Sequence, residues 1–459
     1  MTAADALAGI WRLGQLPDAA LPFALLRGSD PILPSSFAVG TAAQGSIAAA
    51  ALAACELGHT RGAPRQRGRV DMEHAALECV GWFSLDGRVP TLWDKFSGLY
   101  ACADGWVRIH TNFAHHREGA LRLLGLDPAT AERADIEPKL ASWRALDFET
   151  TMANAGLVAT ALRSFEQWDA SAQGQAVAGQ ELFTIERIGD AAPRRLPALS
   201  LRERPLQGLR VLDLTRILAG PVGTRALAAY GADVLQLNAP HLPNIEAIAD
   251  TSRGKLSALA DLRRPRDRAE LRDALADAHV WVQAYRPGAL EKLGFGPHAV
   301  AADRPGIVYV SLSAYGTQGP WAGRRGFDSL VQTAMGFNLA EGQAKGDDKP
   351  RPMPMQILDH ASGYLIAFGA SAALARQQRE GGSWHVQVSL AQTGQWLRSM
   401  GRVPDGLAAI APSNEPYLES AESGFGELRA MRHSAMLERT PTEWTWSSMP
   451  PGNHALAWP

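Results

Sequence analysis

Leu206–Leu237 reads LQGLRVLDLTRILAGPVGTRALAAYGADVLQL. Val211-Leu212-Asp213-Leu214 is a short apolar run with Gly and Arg before it, which suits a strand buried on both faces. Ala219-Gly220-Pro221 breaks the run. Thr224 to Tyr230 then has helical apolar spacing, and Gly231 stands where a helix ends in a left-handed cap. Val234-Leu235-Gln236-Leu237 is the next buried strand. Strand, loop, helix and strand in about 30 residues make the βαβ unit of an open parallel sheet. Ligands on such sheets bind at the carboxyl ends of the strands, so the loop from Arg216 to Gly223 is the first place to look for a site. Geometry alone also allows a scaffold loop whose Gly and Pro only make the turn.

The second half repeats the pattern. Ser252-Arg253-Gly254-Lys255-Leu256-Ser257 leads into a strand ending at Leu262. His279-Val280-Trp281-Val282 is a strand, with Gln283-Ala284-Tyr285-Arg286-Pro287-Gly288 as the loop at its end. Ile307–Leu312 is another, followed by Tyr315-Gly316-Thr317-Gln318-Gly319-Pro320 and then Arg324-Arg325-Gly326-Phe327-Asp328. Four strands thus end in Gly- or Arg-bearing loops on one sheet edge, which argues for a ligand there better than any single loop.

These stretches resemble the class III CoA-transferases, the family of formyl-CoA transferase, the carnitine CoA-transferases and α-methylacyl-CoA racemase. The family's L-x-G-x-R-V-L-D-L-T-x-x-x-A-G-P and L-G-A-D-V are matched from Leu206 to Val234. Its N-R-G-K-R-S, E-N-F-R-P-G, F-G-x-x-G-P and R-x-G-Y-D follow in order, with Leu256, Gln283 and Ala284 as exchanges. Earlier in the chain, Tyr100, Cys102, Asp104, Gly105, Trp106 and Leu123–Leu126 resemble its small domain. Met152–Val158 resembles L-x-x-A-G-V-P without the proline. The resemblance implies an α/β fold: an open parallel, Rossmann-like sheet domain with a smaller α+β domain. No G-x-G-x-x-G follows the first strand, so the dinucleotide fingerprint is missing.

What the resemblance implies about chemistry centres on Asp359, in Pro354-Met355-Gln356-Ile357-Leu358-Asp359. By itself the position reads as a helix N-cap, with the helix beginning just after it. The family places its catalytic carboxylate here, before a helix of the form D-x-x-x-G-x-x-A. Gly363 and Ala367 copy that spacing in part. The implied reaction moves CoA from an acyl-CoA donor to a carboxylic acid acceptor through an aspartyl-CoA thioester. Coenzyme A contacts are implied for Arg253, Lys255, Arg286 and Arg325, and for the loop residues Arg216, Ala219, Gly220, Gly288, Tyr315 and Gly316. Arg suits such contacts because it grips phosphate through two donors. Asn238 stands where the family has Glu, Ala239–Pro243 is shorter than its Gly-rich counterpart, and the small domain's glycine loop is not recognisable. A non-catalytic acyl-CoA-binding homologue is therefore an alternative. A 2-methylacyl-CoA racemase is another, but its acid/base His is replaced by Phe327, which cannot move a proton.

The order of parts differs from the family, where the sheet domain comes first. Ile47–Cys79 and Ile366–Gln395 share one plan: Ala-rich helix, polar turn, short strand, helix. Arg69-Val70-Asp71-Met72 and His385-Val386-Gln387-Val388 are the two strand starts. We read a fusion of two partial copies, the first keeping the small domain and the second the sheet domain. The expected division is 1–85, a helical segment on the sheet domain; 86–195, the small domain; 206–400, the CoA-binding catalytic domain; and 401–459, a tail that packs back. Pro193–Pro205 reads as a linker. The first copy has no Asp between Asp30 and Asp71, so it offers no second nucleophile.

The chain has 459 residues, room for two or three domains. A net charge of −2 gives no strong pull toward nucleic acid or an anionic membrane. Three cysteines without a C-x-x-C pair suit a reducing compartment and no zinc site. His115-His116 lacks ligand spacing, since adjacent residues point to different sides of a helix, and reads as a solvated pair. No metal is expected. The start lacks a signal-peptide pattern, and the apolar runs Ile47–Cys55 and Tyr364–Ala375 are too short to span a bilayer. A cytoplasmic homodimer is expected, the dimer on family precedent and because symmetric pairs are the commonest assembly. A single-chain pseudo-dimer is the alternative.

Overall fold

The computed structural model describes residues 1–459. Its centre is a seven-stranded sheet. From one edge to the other run Lys255–Leu259, Asp233–Asn238, Arg210–Leu214, Val280–Gln283, Val308–Ser313, Ser383–Ser389 and Phe183–Gly189. The first six are parallel, and Phe183–Gly189 joins antiparallel at the edge. In chain order the parallel strands lie 3-2-1-4-5-6, the doubly wound arrangement, with its switch point between Arg210–Leu214 and Val280–Gln283. Val280, Trp281, Val282 and Gln283 are all buried, as strands covered on both faces require.

The helix after the first strand spans Ala219–Ala229, five residues earlier than its apolar spacing suggested. Ala219-Gly220-Pro221 is therefore its first turn, where the missing N–H of Pro is tolerated. Gly220 is needed there: a Cβ would come within 2.4 Å of Thr215.

Two long helices, Val39–Thr60 and Ile357–Glu380, pack on each other more extensively than any other helix pair. Their Ala-rich faces let the backbones approach closely. Ile357–Glu380 is long and apolar enough to cross a membrane by composition, contrary to the expectation from shorter runs. It is instead a core helix, with 94% of that window buried.

The small domain holds the sheet Gly98–Cys102, Gly105–Ile109 and Ala159–Ala161, all antiparallel, with its own core around Phe96, Tyr100, Phe148 and Met152. Its expected limit of 195 is too far, because Phe183–Gly189 belongs to the main sheet. Residues 401–459 are woven into the N-terminal part. The hairpin Leu418–Ser423 and Gly426–Met431 pairs with Phe83–Leu85, and Ala435–Leu437 pairs with Gly68–Asp71.

Candidate active site

A cavity of about 340 Å³ opens at the switch point of the sheet, between the sheet domain and the small domain. The sheet contributes Leu214–Gly220 and the Ala284–Pro287 loop, the small domain contributes Phe113, His115 and His116, and the loop Arg324–Phe327 closes one side. Asp359 is the only carboxylate on the wall, against four arginines: Arg216, Arg286, Arg324 and Arg325.

Asp359 is the third residue of the helix Ile357–Glu380 rather than the residue before it. The reason is Asp328, at the first position of the helix Asp328–Met335. Its Oδ2 accepts the backbone N–H of Asp359 at 2.9 Å, capping the long helix from outside. The side chain of Asp359 is thereby released from capping and faces the cavity. Burial pushes the Asp359 carboxyl well above the usual range, and the Asp328 charge adds to this. Asp328 is also raised by burial, against hydrogen bonds from Asp359 N–H, Gln332 and Leu358 N–H. The two carboxyls titrate as a pair, and Asp359 is raised the more, without the donors that Asp328 holds.

The helix Ala219–Ala229 has no side-chain cap, so its first N–H groups are free toward the cavity at Ala219 and Gly220. Ile217, in the loop before it, has φ +76. A β-branched residue at positive φ is a strained conformation that sequence does not disclose. The loop is clamped from below by Asp213, which is fully buried. Asp213 accepts from Thr215 N–H at 3.0 Å, Thr224 Oγ1 at 2.6 Å and Lys255 Nζ at 2.9 Å.

The structure brings Arg216, Ala219, Gly220, Arg286, Arg325 and Asp359 to this one cavity. Arg286 is exposed on the rim. Arg216 lies over the Phe113 ring at 5.8 Å and donates to the carbonyl of Pro243. Arg325 Nη1 donates to the Gly156 carbonyl at 2.8 Å.

Five expected coenzyme contacts are corrected. Lys255 is completely buried, and its ammonium is spent on Asp213, Thr224 Oγ1 and the Pro221 carbonyl. Arg253 is buried over Trp444 at 3.9 Å and bonded to Asp250, Glu419 and the Met431 carbonyl. Tyr315 is buried against Trp321, ring centroids 4.9 Å apart. Gly288 and Gly316, at φ +80 and +89, make their turns without reaching the cavity wall.

His115 and His116 are corrected in the other direction. His115 is exposed, but His116 is buried, and both line the cavity. Burial lowers His116 to about 3, helped by His115 and Arg325, so its imidazole is neutral. Phe113 and Phe327 complete this wall. Sequence offered no signal for Phe113 or His116 as cavity residues, and Arg324 stood in a recognised motif without being assigned a contact.

Residues 206–403 match the family described as CoA-transferase family III. That stretch of the chain is similar to the family. The chain is similar to the acetyl-coenzyme A transferase nodX of Hypoxylon pulicicidum, 32% identical over 66% of this chain and 55% of that protein. It is also similar to a probable fatty acyl-CoA transferase of Mycobacterium tuberculosis, 34% identical over 41% of this chain and 50% of the other. A crystal structure of a Mycobacterium tuberculosis protein aligns at 34% identity and a TM-score of 0.40, covering 43% of this chain and 56% of that one. The chain thus spans little more than half the length of the curated relatives it matches.

Proposed function

We propose that this protein transfers CoA from an acyl-CoA thioester to a carboxylic acid, with Asp359 as the covalent nucleophile. The observation that carries the reading is one carboxylate, freed from capping by Asp328, on the wall of a cavity otherwise lined by arginines and apolar groups. Asp359 reacts in its ionised form: the carboxylate attacks the thioester carbonyl and expels CoA thiolate, giving a mixed anhydride. The thiolate attacks the Asp359 carbonyl, releases the donor acid and leaves an aspartyl-CoA thioester. The acceptor carboxylate attacks that thioester, and the returning thiolate takes the new acyl group, restoring Asp359.

Each attack builds an oxyanion. The uncapped N–H groups at Ala219 and Gly220 are the donors near that wall. Arg286 and Arg216, at the sheet edge, are the cations that this reading assigns to the coenzyme phosphates. Phe113, Phe327 and Leu390 keep water from the anhydride. Phe327 on the wall disfavours the racemase alternative, which needs a proton carrier there.

Asp359→Ala should lower transfer at least about a thousandfold while CoA still binds. Acyl-CoA plus hydroxylamine should modify Asp359 in the unaltered protein. Full transfer by the alanine variant would refute the mechanism, and CoA binding without turnover in the unaltered protein would establish the non-catalytic homologue.

The proposed assembly is a homodimer. Light scattering should then give about twice the chain mass of 49.2 kDa. A mass near that of one chain would favour the pseudo-dimer.

A further inference from the structure

Arg108, on the strand Gly105–Ile109, and His110, the residue just after the strand, lie two positions apart in extended chain. They are 7% and 6% exposed. Six arginines in the chain are buried: Arg61, Arg108, Arg163, Arg225, Arg253 and Arg376. Arg163, Arg225 and Arg253 have carboxylates, and Arg61 and Arg376 have backbone carbonyls. Arg108 alone has no hydrogen-bond acceptor in the protein, and its Nε is buried without a partner. Nδ1 of His110 is buried without one as well. The guanidinium rests on the Trp93 ring at 5.5 Å. The charge facing it is Asp328, whose oxygens are engaged by the N–H of Asp359 and by Gln332.

A buried guanidinium without an acceptor is costly, and an anion that completes it gains the full strength of a charge-assisted bidentate pair. The cluster also lies against the site. His110 stacks on Phe327 with ring centroids 4.1 Å apart and planes 7° apart, and the Phe327 ring lines the cavity that holds Asp359. Arg286 and Arg216 stand on the sheet edge, to which the reading above assigns the coenzyme. Arg108 stands off the cavity wall, on the small-domain strand that leads into the His110–Phe327 stack.

We propose that Arg108, with His110 beside it, is a subsite for a second carboxylate on the acyl group, so that the acid handled at Asp359 is a dicarboxylic acid. The acyl chain reaches it by passing the Phe327 ring. This rests on the CoA-transfer reading for the chemistry at Asp359, but the subsite itself can be tested without turnover.

Calorimetry on the full chain with CoA present would compare each diacid from oxalate to adipate with the monoacid of equal chain length. At least one diacid should bind tenfold or more tighter than its monoacid. Arg108→Met should erase that preference and leave monoacid binding unchanged. Should Arg108→Met fail to fold, Arg108→Lys keeps the charge without the planar fork, and should cut the preference several-fold. No diacid preference in the unaltered protein overturns the subsite, as does a preference untouched by both substitutions. Transfer assays with the same acids separate the two proposals. Arg108-dependent diacid binding without transfer leaves the subsite and removes the transferase reading. Transfer to monoacids and diacids alike removes the subsite and leaves the transferase.

Discussion

The two long helices begin in the same way and end with different chemistry. Val39–Thr60 leads to the strand Gly68–Asp71 and the helix Met72–Val80; Ile357–Glu380 leads to Ser383–Ser389 and Leu390–Ser399. Each strand has a parallel neighbour on one side, Ala24–Arg27 or Val308–Ser313, and an antiparallel one on the other, Ala435–Leu437 or Phe183–Gly189. In each long helix an outside aspartate caps the third residue. Asp30 accepts Thr41 N–H at 2.8 Å, as Asp328 accepts Asp359 N–H at 2.9 Å. Four residues on, Gly45 meets the helix Ala3–Gly14 and Gly363 meets Ala219–Ala229. Thr41 thus occupies in the first repeat the place of Asp359 in the second, and its hydroxyl donates to Asp30 at 2.7 Å. The packing device survives in both copies. The proposed nucleophile, the arginine-lined cavity and the free helix N-terminus belong to one.

Moving the proposed nucleophile breaks the comparison most directly. Thr41→Asp in an Asp359→Ala background should leave transfer at the level of Asp359→Ala alone, about a thousandfold or more below the unaltered protein. Capping geometry is shared, but the cavity and its cations are not. Recovery of a tenth of normal turnover would show that the first repeat retains a working site.

Stability tests whether the repeats form one body. Glu78, on the helix Met72–Val80, reaches across to the second repeat and the tail. It accepts Tyr364 OH at 2.7 Å and Ser434 N–H at 2.7 Å, and pairs with His433 Nδ1 at 3.1 Å and Arg225 at 3.4 Å. Burial opposes its charge, yet His433 and Arg225 hold its carboxyl well below the usual range. Glu78→Ala leaves Tyr364 OH, Ser434 N–H and His433 Nδ1 buried without their acceptor and Arg225 with Asp250 alone, a loss of about 3–5 kcal/mol. Urea unfolding should show one transition at a lower midpoint with an unchanged slope. Two separate transitions would mean that the repeats unfold independently.

Much of the fold was legible because buried parallel strands and their Gly-bearing loops leave local signals, as in Val211–Leu214 and Val280–Gln283. The helix–strand–helix repeat was legible for the same reason. Burial of individual cations was not. Arg253 and Lys255 stand in a recognisable motif at a strand start, but whether a side chain there meets ligand or core depends on Trp444 and Asp213, distant in the chain. His116 and Phe113 come to the cavity by domain packing, which leaves no periodic trace. Asp359 stands out in the sequence only through the resemblance, and its release from capping depends on Asp328, 31 residues away.

The smallest effect separates the two capped positions by pH. Thr41 carries no charge, whereas Asp359 keeps a carboxyl that burial and Asp328 raise above the usual range. A carboxyl whose folded pKa exceeds its unfolded value of about 3.9 favours the native state below that value and works against it once pH rises through the folded one. Asp359→Asn removes the penalty and keeps the shape. At pH 8 the asparagine variant should be more stable by at least about 1 kcal/mol, since each tenfold gain in proton affinity on folding is worth about 1.4 kcal/mol. The advantage should shrink as pH falls and vanish below about pH 4, where both the native and unfolded chains hold the proton. Thermal melts across that range would measure it. An asparagine variant less stable than the parent at pH 8 would mean that the Asp359 carboxylate is held by donors rather than disfavoured, and that the asymmetry between the two helix starts lies in the cavity alone.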